Sequence, residues 1–366
     1  MLFQTTKNKG MRKSFFIIAI VAITVFLLEQ CTTSSTAVNI SPVGEPFKKL
    51  SDYNFFKGNQ ADLTPNEGVL LYDLNTPLFT DYAKKARFVW MPKGKSAGYQ
   101  TGDLTVDFPV GAVLIKNFYY ENDETNPAAG KKIIETRLLI HQKTGWEANS
   151  YIWNESQTDA LYDVVGDIKK VSWTNAEGKN QTVNYIIPNK NQCKGCHSYK
   201  QKLMPIGPKI RNLNKELVYQ DTIQNQLQKW SDIGYLAGFN STDKHPKVAK
   251  WDDQTAGTLN ERAIGYLDVN CGHCHNLYGP GGTTGLNLVY GAELDLNLGI
   301  HKPPVAAGRA SGGFDFAIEP NNPDVSIMIH RMISTEAGVM MPELGRTSTH
   351  KEGVALIKEW IKKMEL

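Results

Sequence analysis

The chain has 366 residues, is 41% apolar and 21% charged, and carries a net charge of +3. That balance is globular, enough for two or three domains, and it excludes a disordered or low-complexity chain. The charge excess sits before residue 30, where Lys7, Lys9, Arg12 and Lys13 face only Glu29; the remainder carries equal numbers of acidic and basic residues, so nothing in the charge calls for nucleic acid.

In chain order, those four cations precede FFIIAIVAITVFLL, an unbroken apolar run from Phe15 to Leu28. A membrane span needs about 20 such residues, and the shorter run has the length of an export signal's apolar core. Residues 1–30 therefore read as a signal peptide, and the protein as exported to the periplasm or cell envelope. Cys31 follows, before the polar stretch TTSSTAVNISP. This arrangement resembles a bacterial lipoprotein signal, which implies lipidation at Cys31 and a lipid anchor in a membrane. Residues 31–45 read as a linker.

Residues 46–189 read as a β-rich domain. Apolar residues alternate through 104–120 around a Pro-Val-Gly turn. Residues 133–154 read as strand, Lys-Thr-Gly turn and strand, and 169–188 repeat the design around Asn-Ala-Glu-Gly. Such spacing predicts an antiparallel sandwich or barrel-like sheet, with Trp146, Trp153 and Trp173 in its core or on its faces. Residues 190–236 form a separate segment. Its first part, 190–211, is basic with no acidic residue, and 214–230 read as a helix. Residues 237–256 read as a linker. In 257–366, Thr258-x-x-Glu261 and Thr349-x-x-Glu352 read as capping boxes, the first opening a helix that ends on Cys271 and the second the terminal helix. A short helix is expected between them, after Asp324 or Ser326. The fold class is thus α+β and multidomain, an antiparallel β-rich part followed by a helical one.

The cysteines carry the chemistry. Apart from Cys31 there are four, Cys193, Cys196, Cys271 and Cys274, in two Cys-x-x-Cys pairs, each followed directly by a histidine, His197 or His275. Four thiolates can bind zinc, and a Cys-x-x-Cys dithiol can exchange disulfides, but neither needs a histidine after each pair. Covalent haem attachment does: two thiols add to one edge of the porphyrin and the next residue supplies the proximal iron nitrogen. Two haem c groups are therefore expected. On the second haem the distal ligand is expected from Met341 in GVMMPELG, with Met340 as its neighbouring register, since a thioether raises the potential relative to a second imidazole. Met328, His330 and Met332 read as packing or surface residues, and His273 as pointing away from the iron. For the first haem the candidates are Met204 in KLMPIGPK, His245, His141, or an open position. Arg309 and Arg331 are candidate propionate partners.

The C-terminal part resembles a class I cytochrome c domain, in VNCGHCH, the Gly-Pro loop, MMPELG and the terminal helix. Ala263 and Leu267 stand where that family often has glycine and an aromatic, so the helix crossing departs from its pattern. From about residue 45 onward the chain resembles a bacterial family of dihaem c-type cytochromes with a β-rich N-terminal region, in TRLLIHQKTGWEANSYIWNESQTDA, NQCKGCH, PIGPKIRNLN, YLDVNCGHCH, KPPVAAGRASGG and MMPELG. The resemblance implies an exported electron-transfer protein with a redox partner in the periplasm or envelope, and assigns no substrate. An open first haem would instead imply a peroxidase-like oxidoreductase, and a ligand-reading β-domain a sensor.

Overall fold

The computed structural model describes Met1 and residues 37–366, apart from 103, 221, 306 and 366. The apolar run 15–28 and Cys31 lie outside the described residues. Among those described, no helix is long and apolar enough to cross a membrane.

Nine strands account for the first half: β1 (Leu70–Tyr72), β2 (Lys84–Trp90), β3 (Ala97–Gly98), β4 (Val113–Glu121), β5 (Lys131–Gln142), β6 (Gly145–Trp153), β7 (Ala160–Asp163), β8 (Asp167–Thr174) and β9 (Asn180–Ile187). Six of them form one antiparallel sheet in the order β1-β2-β4-β5-β6-β7, and β8–β9 is a separate hairpin. The architecture is an open meander rather than the expected sandwich or barrel. The chain uses its other apolar faces to hold a hairpin and the later helices instead of a second full sheet.

Side chains alternate between the two faces of this sheet. One face is mainly apolar: Phe88, Ile115, Leu138, Ile140, Tyr151 and Trp153 pack under the N-terminal segment through Leu50, Tyr53 and Phe55, around a buried bond from Thr136 to Asn117. The other face carries two separate cores. Leu114 and Val89 lie in one, with Trp230 and Ile210. Phe118 lies in the other, with Tyr185 and Trp173 of the β8–β9 hairpin. Between these cores the register places Tyr72, Arg87, Lys116, Arg137, Ser150 and Asp163 side by side, one from each strand.

Helix α1 (Lys190–His197) follows β9 and opens on a complete capping box, Asn189 with Gln192. Short strands β10 (Ser198–Tyr199) and β11 (Lys202–Leu203) then turn back on a two-residue loop. The helical turn α2 (Ile210–Leu213) leads to β12 (Glu216–Tyr219), β13 (Thr222–Asn225), α3 (Gln226–Asp232) and β14 (Leu236–Ala237), the last paired in parallel with β3. The helix expected over 214–230 is therefore half hairpin. Leu217-Val218-Tyr219 and Thr222-Ile223 are β-formers, and Val218 pairs with Ile223 across the ladder. The helix starts only where Asn225 caps it.

Helices α4 (Leu259–Leu267), α5 (Ile327–Ile333) and α6 (Lys351–Lys362) share one core, with Leu267, Met332, Ile357 and Trp360 buried in it. Thr258 and Glu261 form the expected capping box, and the helix then runs on as a π-turn through Cys271. Thr349 does not cap α6. The N-cap is His350, without a side-chain bond, and the Thr349 hydroxyl goes to the Ile333 carbonyl. The close crossing of α4 and α6 is made by Gly353 against the Tyr266 ring, with no room for a β-carbon.

Residues 77–82 tie the sheet to these helices. The Phe79 amide donates to Asn270 and Tyr82 donates to Glu352, while Asp81 accepts from the amides of Thr347 and Ser348, each at 2.8 Å. His350 stacks on Phe79 at 4.2 Å and bonds Tyr266 through Nδ1. Burial lowers its pKa to about 4, although Glu352 pulls the other way. An unfolded histidine titrates near 6.5, so the unfolded state takes up the proton first as pH falls. The His350 contribution is complete above about pH 6.5 and is lost progressively towards pH 4, by roughly 2–3 kcal/mol. Denaturant unfolding at pH 7 and pH 4.5 should show that loss in the parent and a smaller one in His350→Gln; equal losses would remove His350 from the acid response.

Candidate functional site

The two Cys-x-x-Cys-His segments meet. The Cys196 and Cys274 thiols lie close to one another, with His273 beside Cys196. Tyr199 and Tyr278, just beyond each segment, pack edge to face at 5.4 Å, and the Lys200 amide donates to the Tyr278 carbonyl. A cavity of about 250 Å³ runs between the segments, lined by Cys196, His197, Met204, Gly272 and His273 among others.

The contact is held by ions that the sequence reading left out. Asp268, three residues before Cys271, is buried and accepts Arg211 through both oxygens at 2.9 and 3.0 Å and Lys209 at 3.0 Å. Burial raises its pKa, but Lys209 and Arg211 outweigh that and hold it below the usual carboxylate value. Within the basic run 190–211, Lys209 and Arg211 pair with Asp268, Lys200 lies 4.3 Å over the Tyr278 ring, and Lys194, Lys200 and Lys202 are exposed.

All four cysteines are free thiols. Cys193 is buried beside Ser150 and has its pKa raised by burial. Burial pushes Cys271 up to about 12. The nearness of Cys274 and of His273 lowers Cys196 against its burial, and Cys274, beside Cys196, is raised. Among the described residues no group of three or more His, Cys, Asp or Glu side chains is gathered for a metal ion. The four-thiolate zinc arrangement weighed from sequence is therefore not assembled.

The histidines are oriented as metal ligands are. The β10–β11 turn places Lys200 and Gln201 at φ 48° and 62°, a tight hairpin conformation that folds Met204 back onto His197. The His197 Nδ1 then bonds the Met204 carbonyl at 2.7 Å. His275 Nδ1 bonds the Thr284 hydroxyl at 3.1 Å, and a β-carbon at Gly281 would sit 3.0 Å from that nitrogen, a tight fit beside the ring. With Nδ1 engaged, Nε2 is left for a metal. Burial lowers His197 to about 3 and His275 to about 4, which keeps both imidazoles neutral, the ligating form. Two reduced thiols beside a neutral imidazole whose Nδ1 is already held fit the donor set of covalently attached haem.

The Met204 carbonyl is committed to His197 Nδ1 and so orients that ring. His245 has both ring nitrogens engaged, by Tyr99 at 2.7 Å and the Asn240 carbonyl at 2.8 Å. His141 stacks on Trp146 at 4.6 Å and bonds the Phe108 carbonyl through Nδ1.

On the second segment, the Met341 amide bonds the Arg331 carbonyl at 2.9 Å, and the Arg331 guanidinium disfavours protonation of His275. The Arg331 Nε donates to the Val339 carbonyl. Arg309 is exposed and pairs with Glu336 on the same loop system. His273 bonds Val269, and His330 packs on Phe314. Arg346 was not singled out from sequence, yet it is buried, donates to the carbonyls of Arg331, Ser334, Met341 and Ser348, and lies near Cys271. The Met-Pro loop also touches the first segment: a β-carbon on Gly195 would lie 3.5 Å from Leu344.

No family model, curated protein or solved structure matches the chain. The functional reading therefore rests on the site.

Proposed function

We propose that the chain is an exported, lipid-anchored dihaem c-type cytochrome. It transfers electrons through two covalent haems and exchanges them with a redox partner in the periplasm or envelope. The observation that carries this is the contact between the Cys196 and Cys274 thiols, which puts two attachment segments of the same kind side by side. Haem supplies one-electron chemistry when bound. Cys193 and Cys196 with His197 would hold the first group, and Cys271 and Cys274 with His275 the second, with Met341 the distal ligand of the latter. Residues 257–366 are read as a class I cytochrome c-like domain, and the whole chain as similar to the dihaem family named above. The Met204 carbonyl and Thr284 hydroxyl fix the two proximal rings, and Asp268 holds the segments in register.

The full chain, expressed with c-type haem maturation, should carry two covalent haems, and Cys271→Ala/Cys274→Ala should carry one. Met341→Ala should alter the spectrum of the second haem only. A chain with no covalent haem would sink the reading.

A second reading has its own support. His245 has both ring nitrogens bonded and the Met204 carbonyl is committed to His197, which supports a first haem with an open position. An open iron there suits a small-molecule reductase of peroxidase type. Carbon monoxide binding to one reduced haem would favour it, and no binding would leave electron transfer alone.

A further inference from the structure

The face of the sheet under α1 holds more positive charge than the rest of the fold neutralises. Arg87, Lys116 and Arg137 are direct neighbours across β2, β4 and β5, and Lys85 lies two residues from Arg87 on the same side. Phe118 lies among them, with Lys85 and Lys116 each 5.8 Å and Arg137 4.3 Å from its ring. Acidic partners reach only the two arginines: Asp73 pairs with Arg87 at 2.8 Å and Glu135 with Arg137. Glu135 also accepts the Tyr185 hydroxyl, and Asp73 is shared with Lys215. Asp81, the remaining acid nearby, is taken up by the amides and hydroxyls of Thr347 and Ser348. Among the described residues Lys116 has no carboxylate partner, and Lys85 donates only to the Ala83 carbonyl. The buried Arg87 Nε also lacks an acceptor.

Charge enclosed between two apolar cores is costly unless an anion meets it. The fold points to where that anion comes from. Ser150, next to Arg137 in the same row, lies beside the Cys193 thiol, as does Lys116, so the row runs under the first attachment segment. We propose that Lys85, Arg87, Lys116 and Arg137 form a carboxylate cradle for the propionates of the haem carried by Cys193 and Cys196. Two lysines without acidic partners match the two carboxylates of one haem. This inference rests on the reading that the first segment binds haem.

The test uses the full, haem-loaded chain. Lys116→Gln and Lys85→Gln, separately and together, are compared with Lys116→Arg by resonance Raman of the propionate bending bands and by spectroelectrochemistry. Removing a cation beside the haem favours the oxidised iron. Lys116→Gln should therefore shift the bending bands and lower the potential of one haem, and Lys116→Arg should restore both. Lys85→Gln should act in the same direction, and the other haem should not move. Two haems with unshifted bands and potentials in the glutamine variants would overturn the cradle while leaving the dihaem reading intact. Absence of covalent haem in the parent would sink that underlying reading instead. A parent first haem whose potential moves on adding acetate or phosphate would show the row open to free anions, which also overturns the proposal.

Discussion

Asp268→Ala should destabilise the fold by about 3–5 kcal/mol, seen as a fall in the denaturation midpoint at pH 7 with little change in slope. The carboxylate is buried and is bonded by Arg211 and Lys209 from the first attachment segment and by the Tyr290 amide from the second. Truncating it takes the carboxylate away from two cations, Lys209 and Arg211, the latter buried 5.0 Å over the Tyr290 ring. Typical domains have only about 5–15 kcal/mol in total, so the loss is large. Replacing both partners, Asp268→Leu with Arg211→Met, should cost much less, because no charge is then stranded. The acid dependence has a definite sign. The folded pKa of Asp268 lies below the unfolded carboxylate value near 3.9, so its contribution is complete above that value and is lost as pH falls through the folded pKa. The single variant should lack that part of the acid response. A loss below about 1 kcal/mol would show that apolar contacts, not this ion pair, dock the two segments.

The same residue shows what the sequence made legible. Strands β4, β5, β6, β8 and β9 follow period-two alternation and clear turn residues, so they were readable with little error. The hairpin at 216–225 was not, because its turn begins with Gln220 rather than glycine or asparagine, and four of the intervening residues also suit a helix. The two Cys-x-x-Cys-His segments were legible because their repeated spacing is itself the signal. Their mutual contact was not. It depends on Asp268 meeting Arg211 across 57 residues, and nothing local marks either one. The cation row was legible in principle. KARFVW places two cations, and LIKNFY and ETRLLI one each, on the same face of the sheet, a pattern that asks for a buried partner. The basic run at 190–211 is the more conspicuous in sequence, yet of its charges Lys209 and Arg211 are committed to Asp268.

Arg346→Met should cost about 3–5 kcal/mol and, in the loaded protein, should reproduce at the second haem the spectral change of Met341→Ala. The guanidinium is 3% exposed and donates to four backbone carbonyls, at 2.8 Å to Met341 and Ser334 and at 3.0 and 3.1 Å to Ser348 and Arg331. Hydrogen bonds from a charged donor are worth about 1.5–3 kcal/mol each and do not add, and the carbonyls they leave are poorly reached by water. Methionine fills similar volume but satisfies none of them. Their spacing explains the functional consequence. Among the described residues, Arg346 alone bonds at once the end of α5, the Met-Pro loop and the residues leading into α6, so it fixes where the Met341 backbone stands relative to Cys271 and His275. Arg346→Lys, with a single ammonium in place of the planar fork, should retain part of the stability and part of the normal spectrum. A variant that loses stability but keeps the parent spectrum would make Arg346 a purely structural clamp, and the Met341 loop would then owe its position to Leu344 and the Arg331 carbonyl.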